Sequence, residues 1–203
     1  TAGDVGDEHG ITLFAVAADI DGLSRQTYAT VDGLRAGEIK LAGVRVSGDA
    51  VLGNVDEGFA ALAATIDDAT LAVCAEAVGI MYTLKDKTVQ YSKDRSQFGV
   101  PIGSFQVLQH RMVDMLMACE QAQSLLMWAV MTNAEGGEES RRAVSAMKYM
   151  IGTAGQKLGE EAVQIHGGMG VTWELDVAHY FKRLTAICTL FGNADWHLDQ
   201  LST

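Results

Sequence analysis

The sequence contains a single proline, Pro101, in 203 residues, where soluble chains carry about 5%. Long stretches therefore run without the strongest helix breaker, and long helices are the expectation. Cysteine is scarce as well. Cys74, Cys119 and Cys188 are odd in number, widely spaced and set among apolar residues. That pattern excludes a disulfide framework and reads as buried free thiols in a reducing compartment, the cytoplasm or an organelle matrix. Positive charge is short: 15 Lys and Arg face 26 Asp and Glu, a formal net charge of −11. Such a surface repels phosphate backbones, and with no Lys/Arg run it excludes nucleic acid as a partner. No apolar run approaches the ~20 residues of a membrane span, and no secretory leader heads the residues given. Hydrophobic residues, by contrast, make up 48% of the chain, which excludes intrinsic disorder and supplies a core for one large domain or a domain plus a fragment.

Residues 1–53 differ from the rest. Ile11–Ala18 reads as a strand, and Glu38–Val46 alternates through Ile39, Leu41, Val44 and Val46. Asp21-Gly22, Asp32-Gly33 and Ala36-Gly37 supply turns between them. The strands, read as antiparallel, end at Val51-Leu52-Gly53 and are too few for a self-sufficient sheet. From Asn54 the period becomes helical. Helices are expected over Gly58–Tyr91, from an N-cap at Ser104 to about Asn133, over Glu138–Gln164, and over Glu174–Leu201 with a break near Gly192. Short connections between helices of this length predict a mainly α fold, an antiparallel four-helix bundle preceded by a few strands of an incomplete β-domain.

Two stretches place polar and glycine residues where a bundle has no need of them. In Asp94–Gln106, Arg95 sits beside a turn carrying Phe98 and Gly99. Its fork of donors suits a phosphate, although the stretch taken alone reads first as a helix-terminating loop with a surface arginine. In Gln164–Gly170 the glycines allow close approach of a ligand or another backbone, or form a plain C-cap and tight turn. With no preceding strand and no G-x-G-x-x-G spacing, this is not a dinucleotide fingerprint.

Together, and in this order, the stretches resemble the acyl-CoA dehydrogenases, a family of flavoproteins. Val44–Gly53 looks like the end of that family's middle β-domain. Arg95–Gly99 with Phe105-Gln106 resembles its R-x-x-F-G…Q segment. Gln164–Gly170 resembles its Q-x-x-G-G-x-G segment, and Thr172-Trp173-Glu174 follows as in many bacterial members. The resemblance implies that residues 1–53 are the C-terminal part of the middle β-domain and 54–203 the C-terminal bundle, so that the chain is the C-terminal portion of a larger subunit. It implies FAD as cofactor, with contacts lent to the FAD of a dimer mate. Arg95 would meet the pyrophosphate, Phe98 and Ile102 its apolar surfaces, and Gln106 and Gln164 its polar atoms. Gly167 and Gly168 would admit the adenosine half, and Gln97 and Asn193 are counted with the set. His110 and His166 read as satisfied helix histidines, and no metal site is assigned. An acyl-CoA substrate, homo- or heteromeric dehydrogenase subunits in a dimer or tetramer, and an electron-transferring flavoprotein are the implied partners. Fatty acid or steroid side-chain β-oxidation is the implied setting, with acyl specificity unread.

One departure stands out. The family's base is a carboxylate that takes the α-proton of the thioester while the β-hydrogen leaves as hydride to the flavin. At one usual position, in Thr189–Asp195, this chain has Phe191, which cannot accept a proton. At the other, on the first bundle helix, Ala69 and Thr70 stand at the Glu-Arg positions. Asp68 is one residue off, a rotation of about 100° on a helix, and Gly79 and Arg95 fix the register on either side. Asp67 and Asp68 otherwise read as solvated charge. Three readings follow: a supporting subunit that retains the FAD contacts without the base; a homomeric active dehydrogenase with an unusual base such as Asp68; or a flavin-free helical interaction module.

Overall fold

A computed structural model describes Asp4 and residues 7–202; the outermost residues of the two expected domains, among them Thr1 and Thr203, lie outside the described set. The chain divides into two compact units, residues 1–66 and 67–203.

In the first unit, strand β1 (Leu13–Phe14) pairs antiparallel with β4 (Val51–Leu52), and β2 (Leu23–Ala29) pairs antiparallel with β3 (Arg35–Leu41). The expected strand at Ile11–Ala18 is thus cut to two residues. The one at Glu38–Val46 lies instead at 35–41, ending where Gly43 turns left-handed at φ 67°. Strand β2 gave little signal because its residues are polar and exposed along most of its length. Ala36-Gly37 lies inside β3 and is no turn. Tyr28, Ile39 and Leu41 stand exposed on these strands.

Helix α1 (Phe59–Asp94) is continuous for 36 residues. It is followed by a hairpin of β5 (Ser96–Gln97) and β6 (Val100–Pro101), then by α2 (Gln106–Asn133). Next come α3 (Glu138–Met150), a π-helical turn over Ile151–Gly155, and α4 (Gln156–His166). Helices α5 (Val177–Thr189) and α6 (Ala194–Ser202) complete the unit. Four helical rods result, mainly α as expected, because the π turn leaves α3 and α4 consecutive and α6 is a short appendage.

The directions alternate, as side-chain pairs show. Asp68 with Asn133 and Tyr82 with Glu120 set α1 against α2. Asn133 with Ser140 and Arg111 with Glu161 set α2 against α3 and α4. Glu76 with Arg183 and Lys87 with Asp176 return α5 along α1.

Ser104 is no N-cap: its hydroxyl donates to the Pro101 carbonyl at 2.7 Å, and α2 begins two residues later without a side-chain cap. The third helix was expected as one regular span; a π turn inserts one residue, which a 3.6-residue period does not register. Gly152 lies within it, where a Cβ would come 2.8 Å from Ala194 Cβ. Cys74, Cys119 and Cys188 are free and buried, as the sequence suggested.

Leu84 is fully buried at the centre of the bundle. Leu84→Ala is expected to lower unfolding free energy by about 2–5 kcal/mol, read from urea midpoints at constant m-value.

Candidate functional site

At the C-terminal end of α1, Tyr91 stacks on buried His166 with ring centroids 4.3 Å apart, joining the ends of α1 and α4. His166 Nδ1–H donates to the Ala162 carbonyl at 2.8 Å, so this ring is a satisfied helix histidine. His110 is exposed on α2 and is not buried in that way. One turn beyond Tyr91, the Arg95 carbonyl accepts from Ile102 N–H at 2.8 Å and closes the hairpin base. The tip is Phe98-Gly99, at φ 55° and 83°, the left-handed pair that a two-residue hairpin turn requires. For a bulky residue this backbone costs about 1–2 kcal/mol, and here it displays a phenyl ring that is 93% exposed. The expected helix-terminating loop is thus a regular two-stranded hairpin.

Apart from Asn193, the candidate contacts lie on these segments, though not all face outward. The guanidinium of Arg95 is exposed and paired with no described residue. Gln97, Gln106 and Gln164 are exposed too; the Gln97 amide donates to the Ser96 carbonyl at 2.7 Å. Ile102 is instead turned into the bundle core. The glycines divide by role. Gly167 leaves α4 at φ 60°, its N–H donating to the Gln164 carbonyl. A Cβ on Gly168 would meet nothing within 4 Å, whereas one on Gly170 would lie 2.7 Å from the Val163 carbonyl. Gly170 therefore serves packing, and Gly167-Gly168 front open space.

A second locus lies towards the other end. Ala69 is half-buried, and the exposed Asp68 carboxylate accepts from the Asn133 amide at 2.7 Å. Asn133 accepts in turn from Ser140 at 2.8 Å. Burial pushes the Asp67 carboxyl up, against the pull of Arg141. In the α5–α6 turn, Phe191 is left-handed at φ 55° and Gly192 follows at φ 102°. A side chain at Gly192 would put Cβ 2.7 Å from the Trp196 ring. The turn is held from beneath. Lys148, with no exposed surface, donates from Nζ to the carbonyls of Cys188 at 3.1 Å and Gly192 at 2.7 Å. His197 Nε2–H donates to the Phe191 carbonyl at 2.9 Å, and its Nδ1 pairs with the Ser145 hydroxyl at 3.2 Å. Asn193 has a capping role, its Oδ1 accepting from Trp196 N–H at 2.9 Å.

The family model for the acyl-CoA dehydrogenase C-terminal domain matches residues 56–203. The chain belongs to the acyl-CoA dehydrogenase family. It is 37% identical over 172 residues to acyl-CoA dehydrogenase IpdE2 of Mycolicibacterium smegmatis, covering 85% of this chain and 50% of that protein. Butyryl-CoA dehydrogenase from Megasphaera elsdenii superposes with a TM-score of 0.90 at 26% identity, over 99% of this chain and 53% of that one. A chain of the ChsE4–ChsE5 complex from Mycobacterium tuberculosis superposes with a TM-score of 0.84 at 27% identity, over 94% and 51%. The chain thus spans about half the length of these relatives.

As a member of an oxidoreductase family, this acyl-CoA dehydrogenase chain has Phe at 191 and Ala at 69, neither of which can take a proton. The Lys148, Ser145 and His197 support escaped sequence reasoning. A lysine four residues after Val144 on the core-facing side of α3 was the available signal.

Burial lowers the affinity of His166 and His197 for a proton. The unfolded chain, with ordinary histidines near 6.5, takes up protons that the folded chain refuses, so stability falls as pH drops through that value. Urea midpoints are expected to decline from pH 7.5 to 5.5, and His197→Gln to flatten part of that decline.

Proposed function

We propose that this chain is the C-terminal portion of an FAD-dependent acyl-CoA dehydrogenase subunit of the supporting kind. Residues 1–53 are the end of its middle β-domain and 54–203 its bundle domain. It contributes FAD contacts to a partner subunit and has no working base of its own. The reaction served is α,β-dehydrogenation of an acyl-CoA thioester, in the cytoplasm, with electrons passing on to an electron-transferring flavoprotein.

The observation that carries this reading is a division within the chain. An unpaired arginine, three exposed glutamines and an open glycine pair stand at one end of α1, while the two usual base positions hold Ala69 and Phe191. Arg95 and Asp68 are separated by about 40 Å along a helix rising 1.5 Å per residue. One chain's cofactor contacts and base position thus belong to different centres, as sharing between subunits requires. The match to a chain of the ChsE4–ChsE5 complex, itself a complex of two proteins, supports a heteromeric setting.

The residues present fit the cofactor. Arg95 offers two parallel N–H bonds to adjacent pyrophosphate oxygens. Gln97, Gln106 and Gln164 offer amides to its polar atoms, Phe98 packs a ring against its apolar surface, and Gly167-Gly168 let the main chain come close. Ile102 supports this arrangement from the core, whereas Asn193 caps α6 at the other locus. Bound FAD supplies the hydride acceptor. Asp68 is a poor substitute base, because its carboxylate is held by Asn133 across the α1–α2 junction.

Expression of the full-length protein with its partner dehydrogenase subunit should give a yellow complex. Arg95→Ala should weaken flavin retention roughly ten- to a hundredfold, the worth of a lost charge-assisted pair of hydrogen bonds at about 1.5–3 kcal/mol. Flavin content is read by absorbance. If the full-length protein alone binds FAD and oxidises acyl-CoA, the supporting role fails, and loss of that activity in Asp68→Asn would name the base. If no partner or condition gives a flavin spectrum, the chain is a flavin-free interaction module.

A further inference from the structure

The two segments that carry the candidate flavin contacts are tied to different helices. The hairpin belongs to the end of α1. Arg95 N–H donates to the Tyr91 carbonyl at 2.9 Å, and beyond the tip a Cβ at Gly103 would lie 2.8 Å from the Ser92 hydroxyl oxygen. Both sides of the hairpin therefore follow the last turn of α1. The glycine exit belongs to the end of α4. There Gly167 N–H donates to the Gln164 carbonyl, and a Cβ at Gly170 would come 3.0 Å from the Cβ of His166.

Tyr91 and His166 join these two ends by two different contacts. Their rings stack at 4.3 Å with 28° between the planes, and the Tyr91 hydroxyl donates to the His166 carbonyl at 3.3 Å. That carbonyl lies at the C-terminus of α4, where a helix has no partner of its own to offer. It also belongs to the peptide that opens the glycine exit, which Gly167 continues at φ 60°. A stack alone sets a distance; the hydroxyl adds a direction. His166 cannot follow a displaced α1, because its Nδ1–H is engaged by the Ala162 carbonyl at 2.8 Å and its Cβ abuts Gly170.

We infer that Tyr91 and His166 are a positioning pair that holds the Arg95 hairpin and the Gly167-Gly168 exit at one fixed spacing, so that a single cofactor meets both. Segments already spaced lose less freedom when a ligand is bound. Neither side chain needs a cofactor contact of its own. The consequence for flavin rests on the supporting-subunit reading; the mechanical link between the segments does not.

The test uses the full-length protein with its partner subunit. In the flavin-stripped complex, Tyr91→Leu is expected to speed amide hydrogen exchange across 164–170, on the other helix, and His166→Ala to speed it across 95–102. With flavin present, each is expected to weaken retention about tenfold, the scale of one aromatic pair with one hydrogen bond. The double variant is expected to lose no more than either single one, as for two residues sharing one interaction. His166→Phe restores a ring to the stack and should bring retention within about threefold of the unaltered protein. Leu84→Ala should loosen the bundle and leave retention alone. The inference is overturned if exchange quickens only around the altered residue, if the two losses add, if His166→Phe behaves as His166→Ala does, or if Leu84→Ala releases flavin equally. If Tyr91→Leu does not fold, Tyr91→Phe decides the exchange arm by removing the hydroxyl alone, and unchanged exchange across 164–170 overturns the inference. Flavin retention unmoved by Arg95→Ala, or no flavin at all, sinks the flavin reading, while the exchange arm still decides whether the two segments are linked.

Discussion

Helices α2, α4 and α5 are registered against α1, a 36-residue helix whose buried side must be matched residue by residue. Cys74, Ala77, Met81 and Leu84 are fully enclosed, and each must find partners on another helix at a fixed height. Polar pairs then lock the register. The bidentate bond of Arg183 to Glu76, at 2.6 and 2.7 Å, holds α5; Tyr82 with Glu120 holds α2. The stacking of Tyr91 on His166 fixes the end of α4. An interior proline would kink such a rod by removing a hydrogen bond and clashing with the preceding turn. The sole proline is spent on a hairpin strand beyond the helix end.

That rigidity explains how one chain can serve two distant places. The hairpin after α1 and the glycine exit of α4 are brought together because the helices that carry them end at one level. The α5–α6 turn is fixed elsewhere, by Lys148 and His197 reaching its carbonyls. Neither locus depends on a flexible loop. The left-handed backbones at Phe98 and Phe191 are therefore held in place by their surroundings, each presenting a partly or wholly exposed phenyl ring.

Much of this was readable from residue order, and the rest fails for identifiable reasons. Helical periodicity and scarce proline exposed the long rods, since both are local properties repeated over many turns. Short features were lost. The hairpin tip uses Phe-Gly where Asn-Gly would have announced it, and the π turn adds one residue within an unbroken apolar pattern. Ser104 was read as an N-cap by residue type alone, whereas its hydroxyl closes its own turn on Pro101; Asn193 entered with the family resemblance, and it caps α6. Arg95, Gln164 and the glycines could be picked out because a bundle has no use for them. Lys148 could not, because its carbonyl partners lie 40 and 44 residues away.

The three thiols carry a consequence of their enclosure. Burial raises Cys74 to about 12 and Cys119 to about 11, and also raises Cys188. Burial thus holds these groups in the thiol form at neutral pH, not the thiolate that oxidants and alkylating reagents attack. The folded bundle is chemically silent towards such reagents despite its cysteines. Each thiol becomes reactive only while the helices around it part, so a covalent tag on any of them is a permanent record of one opening of the core.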